Sequence, residues 1–469
     1  MGHVSLVVGQ AGTGKTTWLM EKAKELAPGI LTSEQRSLLA ITRMHGSRRR
    51  VQAKLRESCP SVRCSVATID GFALSIVSRW RTALGYARPV VSVRGDVDFA
   101  DGLFGIEADF GRVAGAAARL LQSPTVGRVL GETYPLILID EFQDCHGPLL
   151  EFVTALSTHS SLLLAADDFQ LLDSAVRGCP AVEWAKAQAE NGMGTIEELT
   201  EFHRTSHAGI LAAARCLREN IAATEQTVPV VFCPKHQAAA WKIIDHLVLG
   251  WYAQRWRGTC AVVCPSHDSF LDKVLNSCTD QLQKRKRDPI RWRVESSEEQ
   301  ERNRAAASLG LTTAMHNLDS SWRRPSRPLD EVGKHIVTRV QRFARLRGIN
   351  AIPHRLVARH VDIAVHEQRA YSSPLSNRIV STVHGAKNRE FENVFVLWNP
   401  FSVGRWNADD QRRLLYNAVT RSRNNCTVLV LGNEDKVRND PVLTLLGPPE
   451  PAFPARIKTR KRTANKAGR

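Results

Sequence analysis

The chain has 469 residues, with 64 Lys and Arg against 47 Asp and Glu, a formal net charge of +17. Hydrophobic residues make up 43% and charged residues 24%, the balance of a globular protein long enough for two or three domains. No apolar run approaches the roughly 18 residues of a membrane span. Met1–Gly14 has neither the basic region nor the cleavage site of a signal peptide, so a cytoplasmic location and no membrane role are expected. The basic excess points instead to a polyanion, nucleic acid first.

In chain order, His3–Val8 reads as a buried strand and Thr16–Ala27 as a helix. Gly29–Thr32, Ser65–Ile69, Leu136–Ile139 and Ser161–Ala165 are further strands, separated by helical patterns. Such repetition predicts a parallel sheet covered on both faces. The pattern restarts at Val228–Phe232 and continues through Thr259–Val263, Arg378–Thr382, Val394–Leu397 and Thr427–Leu431. The expected fold class is therefore α/β, with two lobes over residues 1–220 and 221–447. Tyr86–Arg128 reads as a small irregular insertion in the first lobe. The strand signal fades from about 283 to 370, and charged, helix-favouring stretches predict a mainly helical insertion in the second. Within it, Lys284–Arg287 reads as a solvated helix end. Residues 448–469 are Pro-rich and then basic, with Arg456, Lys458, Arg460, Lys461, Arg462, Lys466 and Arg469, and predict a disordered tail. The ten cysteines include no CxxC pair and read as reduced thiols.

Gly9-Gln10-Ala11-Gly12-Thr13-Gly14-Lys15-Thr16 fits G-x-x-x-x-G-K-[ST] between a strand and a helix. Glycines there let successive backbone N–H groups turn towards phosphate oxygens, and the helix N-terminus favours the anion. The expected ligands are ATP and Mg²⁺. Gly9, Gly12, Thr13, Gly14, Lys15, Thr16 and Thr17 would form the nucleotide cradle, with Lys15 on the β- and γ-phosphates and Thr16 on the metal. Leu136-Ile137-Leu138-Ile139-Asp140-Glu141 delivers two acids at the C-terminal end of a strand, where such sheets bind ligands. Asp140 would hold Mg²⁺, and Glu141 would polarise an attacking water.

Asp140-Glu141-Phe142-Gln143-Asp144, D-E-x-Q-D after an apolar strand, resembles superfamily 1 helicases of the UvrD/Rep type. Six further segments match in that family's order, two before this one and four after it. Ile41–Arg49 is similar to motif Ia, and Ala67–Phe72 to T-x-H-x-F, with Asp70 in place of the His. Asp167–Gln170 is similar to motif III and Leu199–Ser206 to motif IV. Val383–Phe391 is similar to motif V, with Asn388 for its Gly, and Leu415–Arg423 to motif VI. The resemblance implies two RecA-like P-loop lobes with short accessory insertions. It implies that Gln170 senses the γ-phosphate, that Glu390 takes the ribose, and that Arg204 and Arg421 stabilise transition-state charge once the lobes close.

The same resemblance places motif Ia beside a single-strand channel, where Arg43 and Arg48 cluster with other cations and Thr42 and Ser47 could bond phosphates. Thr68 and His384 complete the expected nucleic-acid contacts. The implied activity is an ATP-driven translocase or helicase on single-stranded nucleic acid, DNA in preference, with 3′→5′ polarity. The alternative is a nucleic-acid-sensing ATPase switch that activates a partner such as a nuclease docked on the helical insertion. Compact relatives serve in anti-phage systems such as Gabija.

Overall fold

A computed structural model describes residues 2–43, 45–93, 96–101, 105–249, 258–295 and 377–452. Between 296 and 376 it describes 305–307, 309, 316–317, 331–352, 357–358, 360–361 and 364–365. The expected tail, from 453 on, lies outside the described residues. The chain divides into two compact units, Met1–Ser206 with Ser296–Leu375, and His207–Glu295 with Ser376–Arg469.

The first unit carries a six-stranded parallel sheet. Its order is Cys64–Thr68, Leu38–Thr42, Leu136–Ile139, Ser161–Ala166, Val4–Gly9, Gly194–Leu199. Period-two alternation assigns the strand residues to two cores. Leu38, Ala40, Leu136, Leu138 and Leu163 pack with Trp18, Leu19 and Ala23 of the helix Lys15–Ile30. Leu39, Ile41, Ile137, Ile139 and Leu164 face the other way, into a core shared with Phe72, Val113, Phe152 and Leu156. Each such Leu or Ile contributes about 1.5–3 kcal/mol by burial, so the central strands have no solvated face.

Two sequence expectations change here. Gly29–Thr32 is not a strand. The helix runs on to Ile30, because Leu26 and Ile30, one turn apart, both pack on the Trp18–Leu19 core. The strand is Leu38–Thr42, buried at every position. Gly194–Leu199 is a strand that apolar patterning does not reveal. It is an edge strand paired with Val4–Gly9, and its side chains are mostly exposed.

Tyr86–Arg128 is ordered where described. Val90–Val93, Ile106–Asp109 and Ala100–Asp101 form a small sheet. The helix Phe110–Leu121 then buries Val113, Ala114, Ala117 and Leu121 in the core of the unit. In the 296–375 segment the helix Glu331–Arg347 places Ile336, Val340 and Ala344 against Ile352, Val357 and Val361.

The second unit has a seven-stranded parallel sheet. Its order is Arg293–Val294, Arg378–Thr382, Cys260–Cys264, Phe391–Trp398, Ser422–Leu431, Val230–Cys233, Glu450–Pro451. Val262, Val380, Phe395 and Leu429 pack against Ile243, Phe270, Val274 and Leu282 of two helices. The fold is thus α/β, with two parallel sheets flanked by helices, consistent with two RecA-like lobes. All ten cysteines are free.

Candidate functional site

The glycine-rich loop joins Val4–Gly9 to the helix that starts at Lys15. Gly12 and Gly14 have φ of +89° and +88°, a region closed to most L-residues. Space at Gly12 is also closed, since a Cβ there would meet the Arg204 Cβ at 2.6 Å. The His203 N–H donates to the Gly12 carbonyl at 2.9 Å, so the segment after Gly194–Leu199 clasps the loop. Inside it, Lys15 Nζ donates to the carbonyls of Gly9 at 2.8 Å and Gln10 at 2.9 Å. Thr13 Oγ1 donates to the Gln10 carbonyl at 2.9 Å. Burial holds the Lys15 ammonium below its usual range, against the pull of Asp167 and Glu141.

The acids stand beside this loop. Thr16 Oγ1 donates to Asp140 Oδ2 at 3.1 Å, and the Asp140 N–H donates to the Ile41 carbonyl at 3.2 Å. Burial, with the Glu141 charge next to it, pushes Asp140 up to about 6. Glu141 has φ +61°, a strained conformation for a residue with a side chain. Gln143 donates its amide to Glu141 Oε2 at 2.5 Å and accepts the Asp167 N–H at 3.1 Å. Asp167 in turn accepts from Gln170 Nε2 at 2.8 Å and lies 4.0 Å from Lys15 Nζ. One buried network therefore joins the P-loop, Asp140 and Glu141, and motif III. The expected residues Lys15, Thr16, Asp140, Glu141, Gln170 and Arg204 lie together in the first unit. Arg204 sits against the loop within that unit, not at a distance from it, because the chain divides only after Ser206. Gln143 and Asp167 join the network without having been singled out. Their signal is present in the sequence, as the fourth residue of D-E-x-Q-D and the first of D-D-x-Q.

The expected nucleic-acid contacts differ among themselves. Arg43 pairs with Asp70 at 3.1 Å, so the Asp that replaces the family's His takes up this cation. Burial pushes Asp70 up despite that pair. Arg48 is exposed on the helix His45–Ser58. Thr42 is buried. Thr68 is also buried, and its hydroxyl caps the helix Ile69–Arg79 by accepting the Gly71 N–H at 3.2 Å. The side chain of Ser47 lies outside the described residues.

In the second unit, Thr382 caps the short helix Val383–Ala386 and leaves His384 exposed. Asn388 takes φ +63°, which explains how it stands where the motif V pattern has Gly, since Asn tolerates this region best after Gly. Glu390 bonds the Arg423 guanidinium at 2.6 and 3.0 Å. Arg421 is 1% exposed and donates Nε–H to the Asn417 carbonyl at 2.9 Å. The Phe391 N–H donates to the Arg421 carbonyl at 2.9 Å, so motifs V and VI lock into one register.

Residues 379–429 match the family model of the UvrD-like helicase C-terminal domain. The match runs from the strand before motif V to the strand after motif VI. It supports a UvrD/Rep-like helicase, with nucleic-acid binding and ATP hydrolysis in general. No curated protein matches the chain significantly. Among the described residues, no helix is long and apolar enough to cross a membrane.

Proposed function

We propose that the chain is an ATP-driven translocase or helicase acting on single-stranded nucleic acid, DNA in preference and with 3′→5′ polarity, whose ATPase is stimulated by the strand. The observation that carries this reading is the buried network from Lys15 through Asp167 and Gln143 to Glu141, set around a loop shaped for phosphate. A helical core or a binding module has no use for a strained, hydrogen-bonded carboxylate beside a P-loop.

Each residue has a proposed task. The N–H groups of the Gly9–Gly14 loop and Lys15 bind the β- and γ-phosphates. The Thr16 hydroxyl and Asp140 carboxylate are hard oxygen donors side by side, and they fit Mg²⁺, which when bound neutralises phosphate charge. Glu141 takes the proton of the attacking water, held by Gln143. Gln170 reads the γ-phosphate, and Arg204 and Arg421 stabilise charge in the transition state. Glu390, tied to Arg423, orients the ribose.

The test is phosphate release with and without an oligo-dT strand. Stimulation by the strand supports the reading, and equal rates with and without it would remove the motor. A second reading is a switch that activates a partner effector such as a nuclease, in anti-phage defence of the Gabija kind. Strand displacement by the purified chain alone separates the two.

A further inference from the structure

The helix Ser269–Lys284 of the second unit ends in Lys284-Arg285-Lys286-Arg287, and all four side chains are exposed. This is the solvated helix end expected, and it is closed by a hydrogen-bonded capping turn. The Arg285 and Arg287 N–H groups both donate to the Leu282 carbonyl at 3.0 Å, and the Lys286 N–H to the Gln283 carbonyl at 2.9 Å. Leu282 before the turn and Ile290 after it are buried in the unit's core. The turn therefore folds the four cations into one compact surface.

Two features of that surface run against stability. Lys286 has φ +54° at the position after a helix where Gly is strain-free. A side chain there costs on the order of 1–2 kcal/mol, yet the position holds a cation. Four adjacent like charges also repel one another, and among the described residues none of them pairs with a carboxylate. Asp280 and Asp288 flank the run, but its four cations still outnumber them; a strained backbone under a net positive surface points to an anionic ligand.

The chemistry narrows the ligand. The Arg285 guanidinium lies 4.4 Å over the Trp241 ring and covers it. Trp292 packs partly buried on the core. Among the described residues, the surface thus presents cations for phosphates but no open aromatic face for a base. Single strands are held by both kinds of contact, whereas a duplex hides its bases and shows its phosphates.

We propose that the Lys284–Arg287 turn is a phosphate-backbone contact for double-stranded nucleic acid, additional to the single-strand contacts expected of motifs Ia and V. This rests on the helicase reading above, but it is read out by binding to duplex alone. The experiment is anisotropy of a labelled blunt duplex and of a labelled oligo-dT across a KCl series. It compares the full chain with a Lys284→Ala/Lys286→Ala/Arg287→Ala variant, which keeps Arg285 on Trp241. The slope of log K against log [KCl] for the duplex should flatten by about 2–3, near 0.9 per lost phosphate contact. The single-strand slope should stay within error. Lys286→Gly alone should raise Tm and weaken duplex binding together, an opposition that a purely structural residue does not produce. An unchanged duplex slope in the triple variant overturns the proposal, as does equal flattening for duplex and single strand. So does wild-type binding to anionic phospholipid vesicles without binding to duplex. If strand-stimulated ATPase is absent but duplex binding depends on the turn, the motor reading fails and this contact stands.

Discussion

The Gln143 amide is bonded to the Glu141 carboxylate at 2.5 Å, and its orientation is forced, because its other end accepts the Asp167 N–H at 3.1 Å. Gln143 is fully buried, so water cannot replace either bond. The proposed base is therefore aimed by the residue two positions on and tied to the strand end that carries motif III.

Glu141→Gln should bind nucleotide normally and hydrolyse it at least ~10²-fold more slowly, as loss of a general base implies. Single-turnover hydrolysis beside nucleotide affinity checks this. Wild-type turnover would remove Glu141 from the proposed mechanism. Gln143→Leu should lose activity and also leave the buried Asp167 N–H without its acceptor, costing about 1–3 kcal/mol, visible as a lower Tm.

Gly12→Ala should impair folding of the loop and nucleotide binding together. The added Cβ meets a φ of +89° and the Arg204 Cβ at 2.6 Å. The conformational cost alone is about 1–2 kcal/mol. Thermal denaturation with and without nucleotide measures both effects. A normal Tm and normal binding would mean that the loop adopts another shape.

Arg421→Ala should lower kcat by roughly 10³-fold or more, with a smaller change in KM, if it acts on transition-state charge. Arg204→Ala should behave the same way. Arg421 is buried, so its Tm must be measured beside the kinetics. A pure KM effect in both variants would show that neither is an arginine finger.

The second unit should lose stability in mild acid through His246. Its Nδ1–H donates to the Lys242 carbonyl at 2.8 Å, and its ring meets Phe395 edge to face at 5.6 Å. Burial holds its pKa below the ordinary 6.5. The unfolded chain then binds the proton more readily than the folded one, and stability rises with pH in that window. The stabilising contribution is complete above about pH 6.5 and is lost as pH falls through the lower folded value. Denaturant midpoints between about pH 5 and 8 should fall on the acid side, and His246→Phe should flatten the curve. Parallel curves for the two proteins would assign the acid sensitivity elsewhere.

Much of the site was legible because its chemistry is local. The P-loop needs glycine at two left-handed positions and a lysine after them, and contiguous residues supply both. Asp140 and Glu141 follow an apolar strand so short that its end is unambiguous. The buried alternation of Leu136–Ile139 follows from period two in a covered sheet. Edge strands carry no such signal, which is why apolar patterning does not reveal Gly194–Leu199, and an i, i+4 apolar pair draws Ile30 into the helix past Pro28 and Gly29.

The sequence by itself determined the class of fold, the order of the motifs and the residue types available for phosphate, metal and base, since each depends on short-range periodicity or contiguous spacing. Only the tertiary structure decided their partners. It set Arg204 against Gly12, committed Arg43 to Asp70, and made Thr68 a helix cap. It joined Gln143 to Asp167, 24 positions apart in the chain. It also turned a basic run into an ordered turn held by Leu282 and Ile290. These are relations between residues distant in sequence or set by backbone dihedrals, and buried hydrogen bonds and packing select them only once the strands have found their neighbours.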